Sequence, residues 1–428
     1  MRRDLRRPAR PAFRSGVEGF GRSLAYADFR RLVVGQCGRG YAQWTQVTAL
    51  PPIALSLHGS ASEIGLIWAL QFGPILFLAP FGGVIADRYH RSSVLALLHA
   101  TLALVALTTA TVVVARIASM QYLLASALAF GLATAFEMPV RQSLVADLVP
   151  PSDLRNAVAL HQAAFNVTRV VGPLVTTTVV LLAGPPMAIV CGASASIIAA
   201  VALRAAARRH DTVRDLRPRV VGRPRIAEGI VAARASGTIR VVLALVAITA
   251  ALGMSFQSII AVYLVQNLRI APAAHGFVIA AIGVGTLSGS LASAGRPGTE
   301  RTLWIAAIAL CLTVAAFALA PGFVVIIIVA TGIGCTYGAV AATANFLVQA
   351  SVQPQVRGRV LGIYLATLNG ALAVGSYGYG IAAGVLGTEP TILAGGAVGA
   401  AALASVLAVR RNDRSPRRDA GGTSMGDL

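Results

Sequence analysis

Twelve long apolar runs, separated by short polar turns, occupy residues 32 to 409 of this 428-residue chain. They lie near 32–56, 62–86, 93–115, 120–140, 157–181 and 186–204, then near 241–266, 276–295, 302–320, 323–346, 360–386 and 391–409. At ~20 residues each, such a run crosses a ~30 Å hydrocarbon core as a helix. In lipid only helices and closed barrels satisfy every backbone N–H and C=O, and barrel strands are about half this length. The pattern therefore predicts an all-α polytopic membrane protein. Length alone would have suggested two or three globular domains. One sizeable polar stretch, "RAAARRHDTVRDLRPRVVGRPRIAEGIVAARASGTIR", separates the sixth run from the seventh. The expected division is a basic N-terminal segment (1–31), a six-helix bundle (32–204), a basic central loop (205–240), a second six-helix bundle (241–409) and a tail (410–428). The bundles echo each other. "LVADLVPPSDLRNAV" at 144–158 is similar to "LVQASVQPQVRGRV" at 347–360, each where a fourth helix turns into a fifth. Parallel repeats of this kind imply two pseudo-symmetric bundles around a shared midplane site.

Charge sets the orientation. The chain is 56 % hydrophobic and only 12 % charged, yet carries a net charge of +20. A soluble domain averages about 25 % charged residues, and in one this excess of base would point to nucleic acid. Its distribution points elsewhere. All 36 basic residues are arginine. Thirty-two fall on one side of the alternating turns, Arg116 and Arg269 fall on the other, and Arg39 and Arg169 lie within spans. The positive-inside rule then places both termini and the central loop in the cytoplasm. The basic face would meet anionic lipid, and no nucleic-acid partner is expected.

The absence of lysine excludes a Walker A loop and a Schiff-base lysine, so transport driven by this chain's own ATP hydrolysis is not expected. Cys37, Cys191, Cys311 and Cys335 are scattered through apolar runs without a CxxC pair, which suggests small core residues; no metal or cofactor is expected. "MRRDLRRPARPAFRSGVEGF" has no apolar h-region and is not expected to act as a secretory signal.

The turn between the second and third spans, "GGVIADRYHRSSVL" (82–95), concentrates charge between two oily runs. Its Gly83, Asp87, Arg88 and Arg91 form G-x-x-x-D-R-x-x-R, which resembles the turn signature of the major facilitator superfamily. His90 and Ser92 depart from that signature, and the second-half counterpart "GSLASAGRP" (289–297) keeps Gly289 and Arg296 but has Ser293 in place of the acid. The stretches 139–175, 227–240 and 344–364 are similar to the bacterial branch that holds the enterobactin exporter and macrolide-efflux-like proteins. Turn 10/11 of that match contains Arg357, Gly358 and Arg359. "RVVGP", with Gly172 and Pro173, partly resembles the helix-5 antiporter motif of drug exporters, although Thr176 and Thr177 stand where further glycines often occur. The resemblance implies twelve helices, alternating access and a charged latch between the halves on the cytoplasmic side.

Charges within spans are costly in lipid and usually face a cavity or a partner. Arg169 falls near the midplane, and Arg39 lies closer to the cytoplasmic edge beside Gln36, Tyr41, Gln43, Trp44 and Gln46. Glu137 is the one clear embedded acid. It can pair with Arg141 one turn on or with Arg39 across helices, and with His99 and His161 it forms the candidate proton-coupling set. Phe256, Gln257, Asn345, Gln349, Asn369 and Tyr377 offer cavity chemistry in the second half. With Arg39, Gln43, Trp44 and Arg169 they suggest a positively biased cavity for an amphipathic substrate that is neutral or anionic, including phenolic compounds.

The expected function is a secondary transporter, an exporter of drugs, siderophores or secondary metabolites that works by proton antiport as a monomer in the bilayer. An importer or uniporter, and a lysophospholipid flippase on the same scaffold, remain alternatives. No HExxH, GxSxG or paired-carboxylate pattern supports an enzyme.

Overall fold

The structure is a computed structural model that describes residues 21–145, 148–150, 152–210, 226–294, 298–353 and 356–412. Helix dominates these residues, and no strand occurs among them. The first half comprises α1 (Ala27–Ser56), α2 (Ala61–Arg88), α3 (Arg91–Val114), α4 (Met120–Val145) and a helical trace Leu154–His210. Gly184 breaks that trace into α5 (154–183) and α6 (185–210). A short helix, Ile226–Ala235, precedes the second half. There α7 covers 237–268, followed by α8 (His275–Ala294), α9 (Glu300–Ala318), α10 (Phe323–Ala350), α11 (Arg357–Leu386) and α12 (Thr388–Asn412). Ten segments among the described residues are long and apolar enough to cross a membrane. One of them is the joined α5–α6 pair, and α1 falls outside them because Gln36, Arg39, Gln43 and Gln46 dilute its apolar run. The chain thus makes twelve crossings.

Local chemistry fixes the helix ends. Ser60 Oγ accepts the Glu63 N–H at 3.2 Å while Glu63 accepts the Ser60 N–H at 2.8 Å, a capping box that starts α2. Thr299 caps α9 through the Thr302 N–H at 3.1 Å. Several helices run past the expected spans, α6 to His210 and α12 to Asn412, because an apolar run stops at the hydrocarbon edge whereas a helix can continue into the polar zone. The corner between the fifth and sixth helices is the same in both halves. Gly184 (φ 81°, ψ 165°) and Gly387 (φ 87°, ψ 163°) occupy a backbone region open to glycine almost alone.

The seventh span differs from the continuous helix expected over 241–266. It runs as α-helix to Ile248, π-helix over Thr249–Met254, 3-10 helix over Ser255–Ile259 and α-helix again to Leu268. α11 holds this irregular stretch. Ser255 Oγ donates to the Leu372 carbonyl (3.1 Å), Ser258 Oγ to that of Ser376 (3.3 Å), and the Tyr379 hydroxyl to that of Leu252 (2.6 Å). Irregular backbone at membrane depth survives only where protein covers it, and apolar patterning does not register it.

The two ends of the molecule are built differently. Gly21, His210, Ile226 and Asn412 mark the near end, and the 1/2, 3/4 and 7/8 turns mark the far end. At the far end one apolar cluster mixes both halves, joining Leu50, Ile53, Ile64 and Leu123 to Phe256, Ile279, Phe317 and Ile392. At the near end the core is split. Phe29, Leu32, Leu95 and Leu203 form a cluster of the first half, whereas Ile239, Leu303, Val360 and Leu403 form one of the second. Between the halves, α2 meets α11 and α5 meets α8. Small residues permit the approach: a Cβ on Gly380 would strike the Ala61 carbonyl at 2.6 Å, and one on Gly283 the Arg169 carbonyl at 2.9 Å. Among the described residues the close contacts of these seams run from the far end to mid-helix, and beyond that level each half keeps its own core, leaving a cleft between the halves toward the near end.

Candidate functional site

Arg169 stands at the apex of that cleft, on the turn of α5 that meets Gly283 of α8. Its guanidinium lies 5.7 Å from the ring of Trp44 on α1 and 5.3 Å from that of Tyr337 on α10. One ring belongs to each half. Gly172 makes this possible, because a Cβ there would sit 2.7 Å from the Trp44 Cβ; one turn beyond Arg169, the missing side chain seats the indole. Among the described residues Arg169 has no acidic partner and no hydrogen-bond acceptor, and the Trp44 indole N–H is buried without one. The guanidinium therefore lies between two aromatic rings without an anion among the described residues to receive it, and the indole N–H of one of those rings is unpaired as well. Tyr337 was not among the expected residues. It is a single tyrosine in the apolar run "GCTYGAV", and only the packing of α10 onto α8 brings it to Arg169.

Deeper in the first half lies a second charged group. Glu137 is 1 % exposed and Arg39 3 %. The Glu137 carboxylate takes Arg39 Nε at 3.5 Å and Arg141 Nε at 2.8 Å, so the local and the cross-helix pair coexist. Arg39 also donates to Gln43 and to Thr134, each at 3.1 Å, and lies 5.4 Å from the Phe130 ring. Arg141 donates to Gln36. Two cations on one carboxylate leave a buried excess of positive charge. His99 and His161, both buried, lie within electrostatic reach of Glu137.

The remaining expected residues scatter. Arg39, expected in the cavity lining, is turned into its own bundle by Glu137 and Thr134. Phe256 is fully buried in the far-end core with its ring 5.2 Å from that of Phe317, and buried Gln257 has only the Met254 sulfur as a partner, at 3.9 Å. Asn345 pairs with Gln349 on α10, and Asn369 donates to its own helix at Leu365. Tyr377 shares an exposed stripe of α11 with Val374, Ile381 and Val385; where the halves are sealed, such a stripe faces outward from the molecule. Pro173 bends into α5 beside Gly276 of α8.

In the turn signature, Gly83, Asp87 and Arg88 lie on the last turns of α2 with their side chains outside the described residues, and Arg296 of the counterpart turn lies wholly outside them. Arg91 begins α3. In turn 10/11, Gly358 is exposed, Arg359 pairs with Glu228 of the short helix, and Arg357 Nε is buried without a partner. The matching place in the first half is clamped in the same manner. Ser23 and Tyr26 bind Asn156 and Asp153, with Tyr26 donating at 2.8 Å, and that carboxylate raises the phenol above its ordinary value of 10.

Comparison with known proteins agrees with this architecture. The sequence profile of the transmembrane secretion effector family matches residues 23–421. The staphyloferrin A transporter of Staphylococcus aureus (strain NCTC 8325 / PS 47) is 26 % identical over 147 residues, which are 33 % of this chain and 36 % of that one, so the match spans about a third of the relative. Among solved structures, the nucleoside transporter NupG superposes with a TM-score of 0.68 at 13 % identity, over 89 % of this chain and 98 % of its own. A bacterial homologue of the human lysosomal transporter Spinster, inward-facing and unoccupied, gives 0.66 at 15 % identity over 91 % and 96 %. The peptide transporter POT in complex with sulfate gives 0.67 at 12 % identity over 90 % and 94 %. All share the fold.

Proposed function

Because the chain belongs to the transmembrane secretion effector family and is a major facilitator superfamily transporter, we propose that it exports small amphipathic compounds of neutral or anionic character by alternating access. The observation that carries the substrate class is Arg169, held between Trp44 and Tyr337 with no acidic partner among the described residues. An anion would bind the guanidinium and the indole N–H, while its apolar part would lie against the two rings. Because the rings come from opposite halves, a substrate bound there touches both bodies and biases their rocking, with 32–204 moving against 241–409 about the seam at Gly283.

The near end, which carries the arginine-rich turns, is the cytoplasmic side in this reading, in a bacterial inner membrane. Substrate enters the cleft from the cytoplasm and leaves at the far end. Protons moving inward supply the energy, and Glu137 is the group that exchanges them. Its carboxylate is held by Arg39 and Arg141, and rearrangement of that network is the step that would let it exchange a proton. The turn 2/3 group Asp87, Arg88 and Arg91 closes the near end in the opposite state. The carrier acts as a monomer.

The test is transport by purified protein in proteoliposomes with an imposed pH gradient, using paired anionic and cationic aromatic probes. R169A should lower apparent affinity for the anionic probe at least about tenfold, the worth of one charge-assisted contact. It should leave the cationic probe unaffected or improved. Equal losses for both probes would remove the substrate assignment. Accumulation on the near side under the same gradient would reverse the direction.

A further inference from the structure

The far-end seam contains a titratable group that neither the cleft nor the Glu137 network uses. His275 is the first residue of α8, is 0 % exposed, and has both ring nitrogens without a formed hydrogen bond among the described residues. It sits where α8 of the second half meets α1 and α5 of the first. The adjoining Gly276 is so close to Thr177, Thr48 and Pro173 that any side chain there would collide with them. Thr48 Oγ, on the first-half face of this seam, is likewise buried without a partner. Polar atoms from both halves are thus dehydrated by closure and left unsatisfied. Native structures rarely tolerate this without a functional reason.

We propose that His275 is a proton-binding site of the far-end gate, neutral while the seam is shut and protonated when it opens to water. Closure is compatible with a neutral ring only. An imidazolium at this position would lose its hydration, would find no counter-charge, and would face the positive end of the α8 dipole. Among the described residues the surrounding elements supply no compensating group. α1 contributes Thr48, α5 contributes Pro173 and Thr177, and neither they nor the Pro272–Ala274 turn carries a titratable side chain. Tyr263 on α7 donates its hydroxyl to the Ala318 carbonyl, Arg269 is exposed, and Cys335 on α10 lies against Gly285 and Gly289, more than two turns along α8 from His275. Acid on the far side therefore captures the open state and holds the gate apart until the proton leaves.

The proposal rests on the alternating-access reading above, and the experiment separates the two. Spin labels are placed on exposed residues at the far ends of α4 and α10, through Q121C and V324C in a chain whose native cysteines are replaced by serine. Distances are recorded in nanodiscs. Between about pH 8 and about pH 5 the open-to-closed ratio should rise by up to roughly thirtyfold, the linkage limit for one imidazole of ordinary pKa that is neutral only when closed. H275Q should abolish the rise, and E137Q should retain it. Wild-type protein that shows no pH effect overturns the proposal by itself, whether or not H275Q folds. A rise that survives H275Q, or that is lost in E137Q alone, also overturns it by placing the proton elsewhere. A substrate-induced distance change without any pH effect would refute the His275 site and leave alternating access standing.

Discussion

Two arginines lie inside the bilayer and the structure gives them opposite circumstances. Arg39 shares Glu137 with Arg141 in a dry network, whereas Arg169 has aromatic faces and no carboxylate. Removing one member of a buried ion network strands the others, at a cost of about 3–5 kcal/mol. E137Q should therefore lower thermal stability in detergent markedly and abolish the response of transport to a pH gradient, while substrate exchange at equal pH persists. Arg169 is half-buried and makes two cation–π contacts of about 0.5–1 kcal/mol each, so R169A should stay within about 2 kcal/mol of wild type in the same melt and lose anion affinity instead. If the two variants melted alike, the distinction between structural and substrate-facing arginine would fail. The sequence made both residues visible, since a charge within an apolar run stands out. It did not show which one faced the cleft, because that depends on Thr134 and Glu137 arriving from α4 and on Tyr337 arriving from α10.

At the scale of helices, the patterning was legible where it follows the hydrocarbon edge and silent where it follows packing. Every span lay within a few residues of its helix or, for the last turns, inside it. The π and 3-10 turns of α7 were not legible, because Leu252, Ser255 and Ser258 owe their placement to hydrogen bonds with α11. The helix-5 glycine acquired a physical role that the motif alone did not supply. Gly172 is the floor on which Trp44 rests, so G172V should push the indole away from Arg169. The expected result is weaker substrate binding, by about tenfold or more if one cation–π face and the indole donor are both lost, together with a stability loss of about 1–3 kcal/mol, because the Trp44 Cβ is fixed to α1 and cannot swing aside. Ligand titration by tryptophan fluorescence would record it. The corner glycines make a separate prediction. G184A and G387A each force a β-carbon into a region that costs about 1–3 kcal/mol, and equal destabilisation of the two would reflect the internal repeat.

For the whole molecule, the arginine asymmetry and the split core bear on one question, which face of the membrane the cleft meets. The near end carries separate cores for the two halves, and it is also the end where Arg22, Arg359 and Arg410 form ion pairs with Asp153, Glu228 and Glu300. Each of these pairs lies within one bundle and its adjoining segment, so among the described residues they tie each bundle to itself at this end. In the proposed orientation that end is the cytoplasmic one, and Tyr337 should then be reached from the cytoplasm alone. Y337C, in a chain whose native cysteines are replaced by serine, should react with a membrane-impermeant maleimide in inverted vesicles and stay unmodified in right-side-out ones. Bound anionic substrate should protect it, because the guanidinium beside it is the group that holds the anion. Labelling from the outer face with substrate absent would contradict both the orientation and the resting state. Protection by cationic and anionic compounds alike would leave the orientation intact and count against Arg169 as the discriminating contact.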